Sequence, residues 1–221
     1  MPGMHTPRLT RRAGLSRAVA SLAAFIALPT LAAPRSTPLA PMTDGPFYPP
    51  SRWRERWPDW DADLTVVRRG GREQRARGEW LDLQAQVVDS DGRTLDNAEV
   101  EIWQCDALAQ YRHPQVAEEG DPGFAGFGAE RSDAQGRVRF RTIRPVPYPG
   151  RTPHIHVKLR HGSFGELTSQ LFVKDDAGNT RDFLWRAVPA AEREALEMQL
   201  RPAEAGSGLR WVVRHALVVP A

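Results

Sequence analysis

The sequence has little cysteine and, over most of its length, no excess of charge of either sign. Among 221 residues Cys105 is the only cysteine, which excludes an internal disulfide framework and a cysteine-rich zinc module. Four of the 30 basic residues and none of the acidic ones lie in residues 1–33, so the rest of the chain carries 26 basic against 27 acidic side chains. This balance argues against a nucleic-acid partner. With 41% apolar and 26% charged residues, the composition is that of a folded protein.

The first 33 residues have the features of an export signal. Arginines precede an apolar segment, residues 18–33, which ends in small residues and is shorter than the roughly 20 strongly apolar residues of a transmembrane helix. Because Thr10, Arg11 and Arg12 resemble a twin-arginine motif, we expect residues 1–33 to direct export by that route, to the periplasm or out of the cell. An ordinary secretory signal or a single membrane anchor are the alternatives. After removal of the signal we expect no stable membrane association.

Residues 34–79 are predicted to form an extended arm. The first part of this segment is rich in proline and has no periodic apolar pattern. Trp53, Trp57 and Trp60 have helical spacing, but a proline between the first and the last of them disfavours a regular helix. We therefore interpret these tryptophans as loop residues that cover the edge of a core.

From Trp80 onward, short apolar patterns alternate with turns. Apolar side chains recur at every second position in four segments, residues 81–87, 98–102, 138–140 and 155–159, and residues 171–173 and 211–219 are predicted as two more strands. Ala190–Leu200 alone has a helical pattern. Many short strands without crossover helices predict an all-β fold, an antiparallel β-sandwich with few short helices, over residues 80–221.

Two histidines on one predicted strand are candidates for a metal site. Successive side chains of a strand point to opposite faces, so His154 and His156 project together while Ile155 and Val157 pack into the core. Two imidazoles on one face often bind a transition metal. Paired histidines without a metal are the alternative, and this motif by itself does not separate the two.

Two of the three tyrosines of the chain accompany these histidines. Tyr148 precedes His154 by six residues in a proline-rich loop, and Tyr111 follows a predicted strand. A free phenol has a pKa of about 10, so it binds as a phenolate only to a strong Lewis acid. Two phenolates and one hydroxide would neutralise a ferric ion and leave both imidazoles neutral. The donor set therefore favours Fe(III).

Together these motifs resemble the intradiol ring-cleavage dioxygenases, the family of protocatechuate 3,4-dioxygenase and catechol 1,2-dioxygenase. The resemblance begins near Thr43, where the Gly-Pro-Phe-Tyr sequence ending at Tyr48 is similar to an N-terminal element of the family. Arg151 and the two histidines match the Arg-x-x-His-x-His signature, and Gln170 matches a glutamine near the substrate. The resemblance ends near Val173 and covers most of the chain beyond the predicted signal.

The resemblance implies a mononuclear, non-haem Fe(III) site whose ligands are Tyr111, Tyr148, His154 and His156. Its substrates would be a catechol and O₂. The catechol is expected to bind through both oxygens and to displace Tyr148. Cleavage between the two hydroxyls would give a cis,cis-muconate-type diacid, with residues 80–221 as the catalytic domain.

The resemblance also assigns roles to two further residues. Arg151 is expected to stabilise negative charge on the ring, and Gln170 to position the substrate. One position departs from the family pattern, because relatives usually have a glycine two residues before the first tyrosine and this chain has Ala109. Relatives assemble, some from two unlike chains, so a homo- or hetero-oligomer is expected.

Two other classes of protein stay open. A cupin-type metal enzyme also has His-x-His on a strand, but it needs a glutamate four or five residues later, where this chain has Arg160 and His161. A transthyretin-like β-sandwich that binds without catalysing would keep the strands and the core. It would not need the clustered tyrosine, arginine, histidine and glutamine side chains.

Overall fold

The computed structural model describes residues 36–51, 55, 61–114, 116 and 120–221. The predicted export signal, residues 1–33, and Trp53, Trp57 and Trp60 lie outside these described residues. Over the described ranges, the structure contains no helix with the length and apolar character needed to cross a membrane.

Short β-strands dominate the described chain. The strands are β1 (Val66–Arg69), β2 (Arg72–Arg75), β3 (Trp80–Asp89), β4 (Glu99–Trp103), β5 (Phe127–Arg131), β6 (Arg137–Ile143), β7 (His154–His161), β8 (Gly165–Val173), β9 (Glu197–Met198), β10 (Arg201–Pro202) and β11 (Trp211–Val219). One α-helix, α1 (Phe183–Ala187), and two 3₁₀ helices, Asn179–Arg181 and Ala190–Leu196, follow β8.

Two sheets share one apolar core and form a β-sandwich. The first sheet has the strand order β10-β11-β3-β6 and the second β5-β4-β7-β8-β9. Pairing within them is antiparallel except for the parallel pairs β3 with β11 and β8 with β9. Alternate residues of each strand, such as Leu83 of β3 and Ile102 of β4, meet in the core, and each such buried side chain stabilises the fold by about 1.5–3 kcal/mol. The predicted fold class is confirmed.

Part of the predicted arm belongs to the core. Leu39 and Leu64 are fully buried, and the Leu39 N–H donates a hydrogen bond of 2.9 Å to the Val218 carbonyl. Strands β1 and β2 form a hairpin that the sequence analysis did not predict. Its turn contains Gly70 and Gly71, both at positive φ, a combination typical of tight hairpin turns.

The predicted helix over Ala190–Leu200 is correct for its first part and wrong for its last. Only Ala190–Leu196 is helical, as a 3₁₀ helix that begins after Pro189 without a side-chain cap. The next two residues pair as β9 in parallel with Phe172 and Val173 of β8. Tertiary pairing therefore overrides the helix propensity of this alanine- and glutamate-rich segment.

The outer face of the second sheet carries the polar residues of interest. In β7, Ile155 and Val157 are buried in the core, while His154 and His156 project from the opposite face. His156 lies opposite Trp103 of β4 on one side and Gln170 of β8 on the other. This face is the location of the candidate active site.

Candidate active site

The two histidines of β7 present their Nε2 atoms to each other at 3.3 Å. The Nδ1 atom of His154 lies 2.6 Å from the Thr152 carbonyl oxygen, which can only accept a hydrogen bond. Nδ1 therefore carries the proton, and the Nε2 lone pair is free to bind a metal. The ring of His156 stacks on Trp103 with centroids 4.7 Å apart and planes 13° apart, which fixes its orientation.

Tyr111 reaches the histidines from the loop that follows β4. Its hydroxyl oxygen lies 3.1 Å from His156 Nε2 and 3.4 Å from His154 Nε2. The Asp106 carboxylate shapes this loop by accepting hydrogen bonds from the backbone N–H groups of residues 108 and 110. Ala109 between them has φ +64°, the left-handed region that glycine adopts most easily. The loop therefore keeps its shape with alanine at a cost of about 1–2 kcal/mol.

Tyr148 and Arg151 are brought together by a tight turn. Pro149 and Gly150 occupy its central positions, Gly150 has φ +82°, and the Arg151 N–H donates to the Tyr148 carbonyl at 2.9 Å, a pattern typical of a type II turn. The Arg151 guanidinium consequently lies beside its neighbour, with Nη1 3.5 Å from the Tyr148 hydroxyl oxygen. The rings of Tyr148 and Tyr111 also meet edge to face, with centroids 5.7 Å apart.

Burial keeps all four groups uncharged in the protein alone. Loss of solvation, together with the nearby Arg151 cation, lowers the pKa of His154 to about 4, and burial lowers the pKa of His156 well below its ordinary value. Burial likewise raises the pKa of Tyr148, and that of Tyr111 well above its usual range. The phenols therefore ionise only when a cation at this point stabilises the phenolates.

The donor atoms of three candidate ligands fit a single metal ion. Ligands bound to one ion at about 2.0–2.1 Å lie roughly 3–3.6 Å from each other, and the oxygen of Tyr111 and the two Nε2 atoms are separated by 3.1, 3.3 and 3.4 Å. Two imidazoles and two phenols form a donor set that suits a hard trivalent cation better than zinc.

A cupin-type ligand set is not formed by the described residues. No group of three or more histidine, cysteine or carboxylate side chains suited to a metal lies within the described ranges. Glu166, the carboxylate that follows the histidines, instead forms ion pairs with Arg160 at 2.7 Å and Lys158 at 3.4 Å.

A cavity of about 140 Å³ opens beside Tyr148 and His156. Pockets for drug-sized ligands measure about 300–1,000 Å³, so this space suits a small single ring. The Arg151 guanidinium borders it, held by the Gln170 side-chain oxygen and by the Asp182 carboxylate, whose Oδ2 lies 2.8 Å from Arg151 Nε. The lining residues are Thr43, Gly45, Pro46, Phe47, Tyr148, Arg151, His156, Gln170, Phe183 and Leu184.

The structure brings all the predicted site residues into one cluster. The donor atoms of Tyr111, His154 and His156 converge, and the Tyr148 ring lies next to the Tyr111 and His154 rings, with centroids 5.7 and 5.5 Å away. Arg151 and Gln170 border the cavity, and Tyr48 lies farther along the sheet with its hydroxyl 2.6 Å from Glu101 Oε2. Sequence reasoning missed Asp182 and Phe183. Asp182 precedes a short apolar helical segment, as an N-cap residue does, but this signal does not reveal its contact with Arg151.

Comparison with known proteins identifies relatives of this chain. A family model described as Dioxygenase matches residues 54–215. The protocatechuate 3,4-dioxygenase beta chain of Burkholderia cepacia is 34% identical over 148 residues, which cover 62% of this chain and 61% of that protein. Catechol 1,2-dioxygenase 2 of Acinetobacter lwoffii is 29% identical over 156 residues, covering 62% and 54%. This chain thus spans between half and two thirds of the length of these two relatives.

Solved structures share the fold. The dioxygenase domain of a dioxygenase–carbohydrate-binding protein fusion from Streptomyces sp. SirexAA-E superposes with a TM-score of 0.58 and 26% identity, covering 83% of this chain and 99% of that one. An intradiol ring-cleavage dioxygenase from Tetranychus urticae gives a TM-score of 0.62 at 18% identity, covering 84% and 95%. Since the family model covers most of the chain and the fold agrees, this chain belongs to the intradiol ring-cleavage dioxygenase family.

Proposed function

We propose that the protein is an exported non-haem Fe(III) dioxygenase that cleaves a catechol-type ring between its two hydroxyls. The products would be cis,cis-muconate-type diacids that contain both atoms of O₂. The observation that carries this proposal is the convergence of two phenols and two imidazoles beside a cavity the size of one small ring.

Tyr111, Tyr148, His154 and His156 are the residues that would hold the iron. When bound there, a ferric ion withdraws electron density from a catecholate ring and makes the ring reactive toward O₂. With both imidazoles neutral, two phenolates would neutralise two of the three positive charges and a hydroxide the third, which supports iron in the trivalent state.

Tyr148 is the residue suited to accept a substrate proton. It borders the cavity, whereas Tyr111 and His154 are not among the residues that line it. A catechol hydroxyl that approaches from the cavity therefore meets the Tyr148 oxygen, and a phenolate at this position takes up a proton as a general base. This geometry supports the expectation that Tyr148 is the tyrosine displaced by substrate.

Arg151 and the cavity walls would act on the ring itself. The Arg151 guanidinium borders the cavity and its side chain is largely buried, so its positive charge is weakly screened where negative charge develops on the ring. Gln170 faces the same space and limits how the ring can lie. The side chains of Pro46, Phe47 and Leu184 exclude water from the remaining walls.

Export and assembly are further parts of the proposal. The arginines and apolar segment of residues 1–33 support export, and one relative is a dioxygenase fused to a carbohydrate-binding protein in a cellulolytic bacterium. Both support action on aromatic compounds of plant material outside the cytoplasm. Alpha and beta chains of protocatechuate 3,4-dioxygenase from Burkholderia cepacia both match this chain, which supports a homo- or hetero-oligomer. Cell fractionation and light scattering of the purified protein test these two points.

Oxygen uptake by the iron-loaded protein tests the proposed activity. A panel of catechol, alkyl- and chlorocatechols, hydroxyquinol and protocatechuate is supplied, and the product is identified by mass spectrometry. We expect one O₂ consumed per ring opened and a diacid that carries two ¹⁸O atoms from ¹⁸O₂. Absence of uptake with every member of the panel would contradict the proposal.

A further inference from the structure

Asp182 is a buried carboxylate at the edge of the cavity that lies outside the predicted ligand set. Its side chain has no solvent exposure. Each of its two carboxylate oxygens accepts two hydrogen bonds. Oδ2 accepts from Arg151 Nε at 2.8 Å and from the Thr152 N–H at 3.0 Å, and Oδ1 accepts from the Leu184 and Trp185 N–H groups at 2.9 and 3.1 Å. A carboxylate so fully bonded has one orientation.

The donors to Asp182 belong to three parts of the site. Arg151 is the cation at the cavity. Thr152 is the residue whose carbonyl fixes the His154 ring, and Leu184 is part of the cavity wall. One side chain therefore connects the cation, the backbone that orients a candidate ligand, and the first turn of α1.

We propose that Asp182 is the positioning residue that holds the Arg151 guanidinium at the cavity in the geometry required for ring cleavage. This inference rests on the proposed function. An arginine side chain has several rotatable bonds, and the pair with Asp182 selects one orientation among them. The other hydrogen-bond partners of the Arg151 guanidinium are uncharged, namely the Gln170 side-chain oxygen and the Tyr148 hydroxyl.

Asp182→Asn tests the proposal because it preserves volume and removes the charge. An amide keeps one acceptor oxygen, so two of the four donors lose their partner. We expect kcat to fall about tenfold to a hundredfold, as for other groups that orient active-site residues. The affinity for catechol, measured by calorimetry without O₂ so that no turnover occurs, should change by less than about threefold, because Arg151 acts after binding.

Asp176→Asn is the matched control. Asp176 lies in the same segment and also accepts hydrogen bonds. Its carboxylate accepts from the Thr152 hydroxyl at 3.2 Å and from the Gly178 N–H at 2.8 Å. Neither of these hydrogen bonds involves Arg151. We expect this variant to keep kcat within about twofold, even where thermal stability falls by as much as in Asp182→Asn.

A double-mutant cycle separates positioning from a general structural role. In an Arg151→Ala background, Asp182→Asn should change kcat by less than about twofold, because the guanidinium that Asp182 positions is absent. If the fold losses of kcat in the two single variants multiply in the double variant, the two residues act independently, and the proposal is overturned. If Asp182→Asn does not fold, Asp182→Glu, which keeps the charge and displaces it, takes its place in the cycle with the same expectation.

Crystal structures of the variants give a readout that does not depend on activity. We expect the guanidinium of Arg151 to leave the Tyr148 hydroxyl in Asp182→Asn and to stay beside it in Asp176→Asn. An unmoved guanidinium would overturn the inference about Asp182. A wild-type protein without ring-cleaving activity would instead contradict the proposed function, so the two failures are distinguishable.

Discussion

The two ends of strand β7 present polar side chains on the same face of the sheet, but the side chains at the two ends have different kinds of partner. At the ionic end, Lys158 and Arg160 form ion pairs with carboxylates, including Asp44 at 2.7 Å and Glu99 at 2.8 Å. At the neutral end, the two histidine rings face Tyr111 and Tyr148, and none of these four side chains carries a charge, although the Arg151 guanidinium lies beside Tyr148.

This difference shows why only one end is suited to a metal. Lys158 and Arg160 at the ionic end already have carboxylate partners, so attraction within the protein offsets the cost of removing these charges from water. At the neutral end the donor atoms of Tyr111, His154 and His156 converge with Tyr148 beside them, and burial disfavours a charge on any of these four groups. A trivalent cation supplies the charge that converts this cluster into a strong ligand set.

The largest effect is expected from removing a ligand at the neutral end. His156→Gln should lose bound iron and lower kcat/KM at least about a thousandfold, because a metal ion contributes several kcal/mol to such reactions. Metal analysis and oxygen uptake measure both effects. His215→Gln, a substitution of a histidine in β11 that hydrogen-bonds the Ala195 carbonyl, is the control and should retain iron. Full iron content in His156→Gln would contradict the assignment of this ligand.

A smaller effect is expected from changing the cation beside the cavity. Arg151→Lys keeps the charge but loses the planar group that bonds Asp182 and Gln170 together, so kcat should fall about a hundredfold with iron retained. Arg160→Lys makes the same change at the ionic end and should leave kcat within about threefold. Equal losses of kcat in the two variants would show that the two ends do not differ in function.

At the ionic end, a substitution should lower stability without removing iron. The Glu101 side chain is 1% exposed and contacts Arg160 at 3.1 Å and the Tyr48 hydroxyl at 2.6 Å. Glu101→Gln should therefore reduce the free energy of unfolding by about 2 kcal/mol. Glu99→Gln, at a side chain that is 32% exposed, should cost less than about 1 kcal/mol. Urea unfolding with metal analysis tests both, and loss of iron in Glu101→Gln would contradict the separation of the ends.

The metal-free protein should lose stability in mild acid because of the neutral end. The pKa of His154 is about 4 in the folded protein, below the value of about 6.5 in an unfolded chain, so the unfolded state binds more protons between these values. Lowering the pH from 7 to 5 should therefore reduce the free energy of unfolding by about 2 kcal/mol through this residue. His154→Gln should show a weaker pH dependence in urea unfolding. An equal dependence in both proteins would contradict the neutral, buried state of His154.

The smallest effect concerns the loop that carries Tyr111. Ala109→Gly removes the strain of a positive φ, and we expect the free energy of unfolding to rise by about 0.5 kcal/mol. Ala134→Gly, in an exposed turn where φ is not positive, should lower it by a similar amount. Calorimetry compares the two variants, and a loss of stability in both would show that residue 109 is not strained.

The sequence predicted those features that depend on local geometry. His154 and His156 share a face because side chains alternate along any strand, and the strands themselves follow from alternating apolar residues. Tyr111 and Tyr148 lie on loops, where no periodicity applies, so their place beside the histidines was a hypothesis from the chemistry of the residues, supported by the resemblance to a family.

Features that depend on long-range contacts were missed or wrong. Asp182 bonds Arg151 across 31 positions of the chain, and nothing in the residues around Asp182 indicates this partner. The segment over Ala190–Leu200 has the composition of a helix, but its last part pairs with β8. The hairpin of β1 and β2 had a usable signal in Gly70 and Gly71, which the interpretation as an extended arm overlooked.

The central claim is tested most directly by the metal itself. Iron analysis, visible absorption and anomalous diffraction at the iron edge are measured on one preparation of the full protein. We expect one iron per chain, the wine-red colour of tyrosinate bound to Fe(III), and an anomalous peak within bonding distance of Tyr111, Tyr148, His154 and His156. A colourless protein with another metal at this position, or an iron atom bound by the histidines with both phenol oxygens beyond bonding distance, would contradict the account.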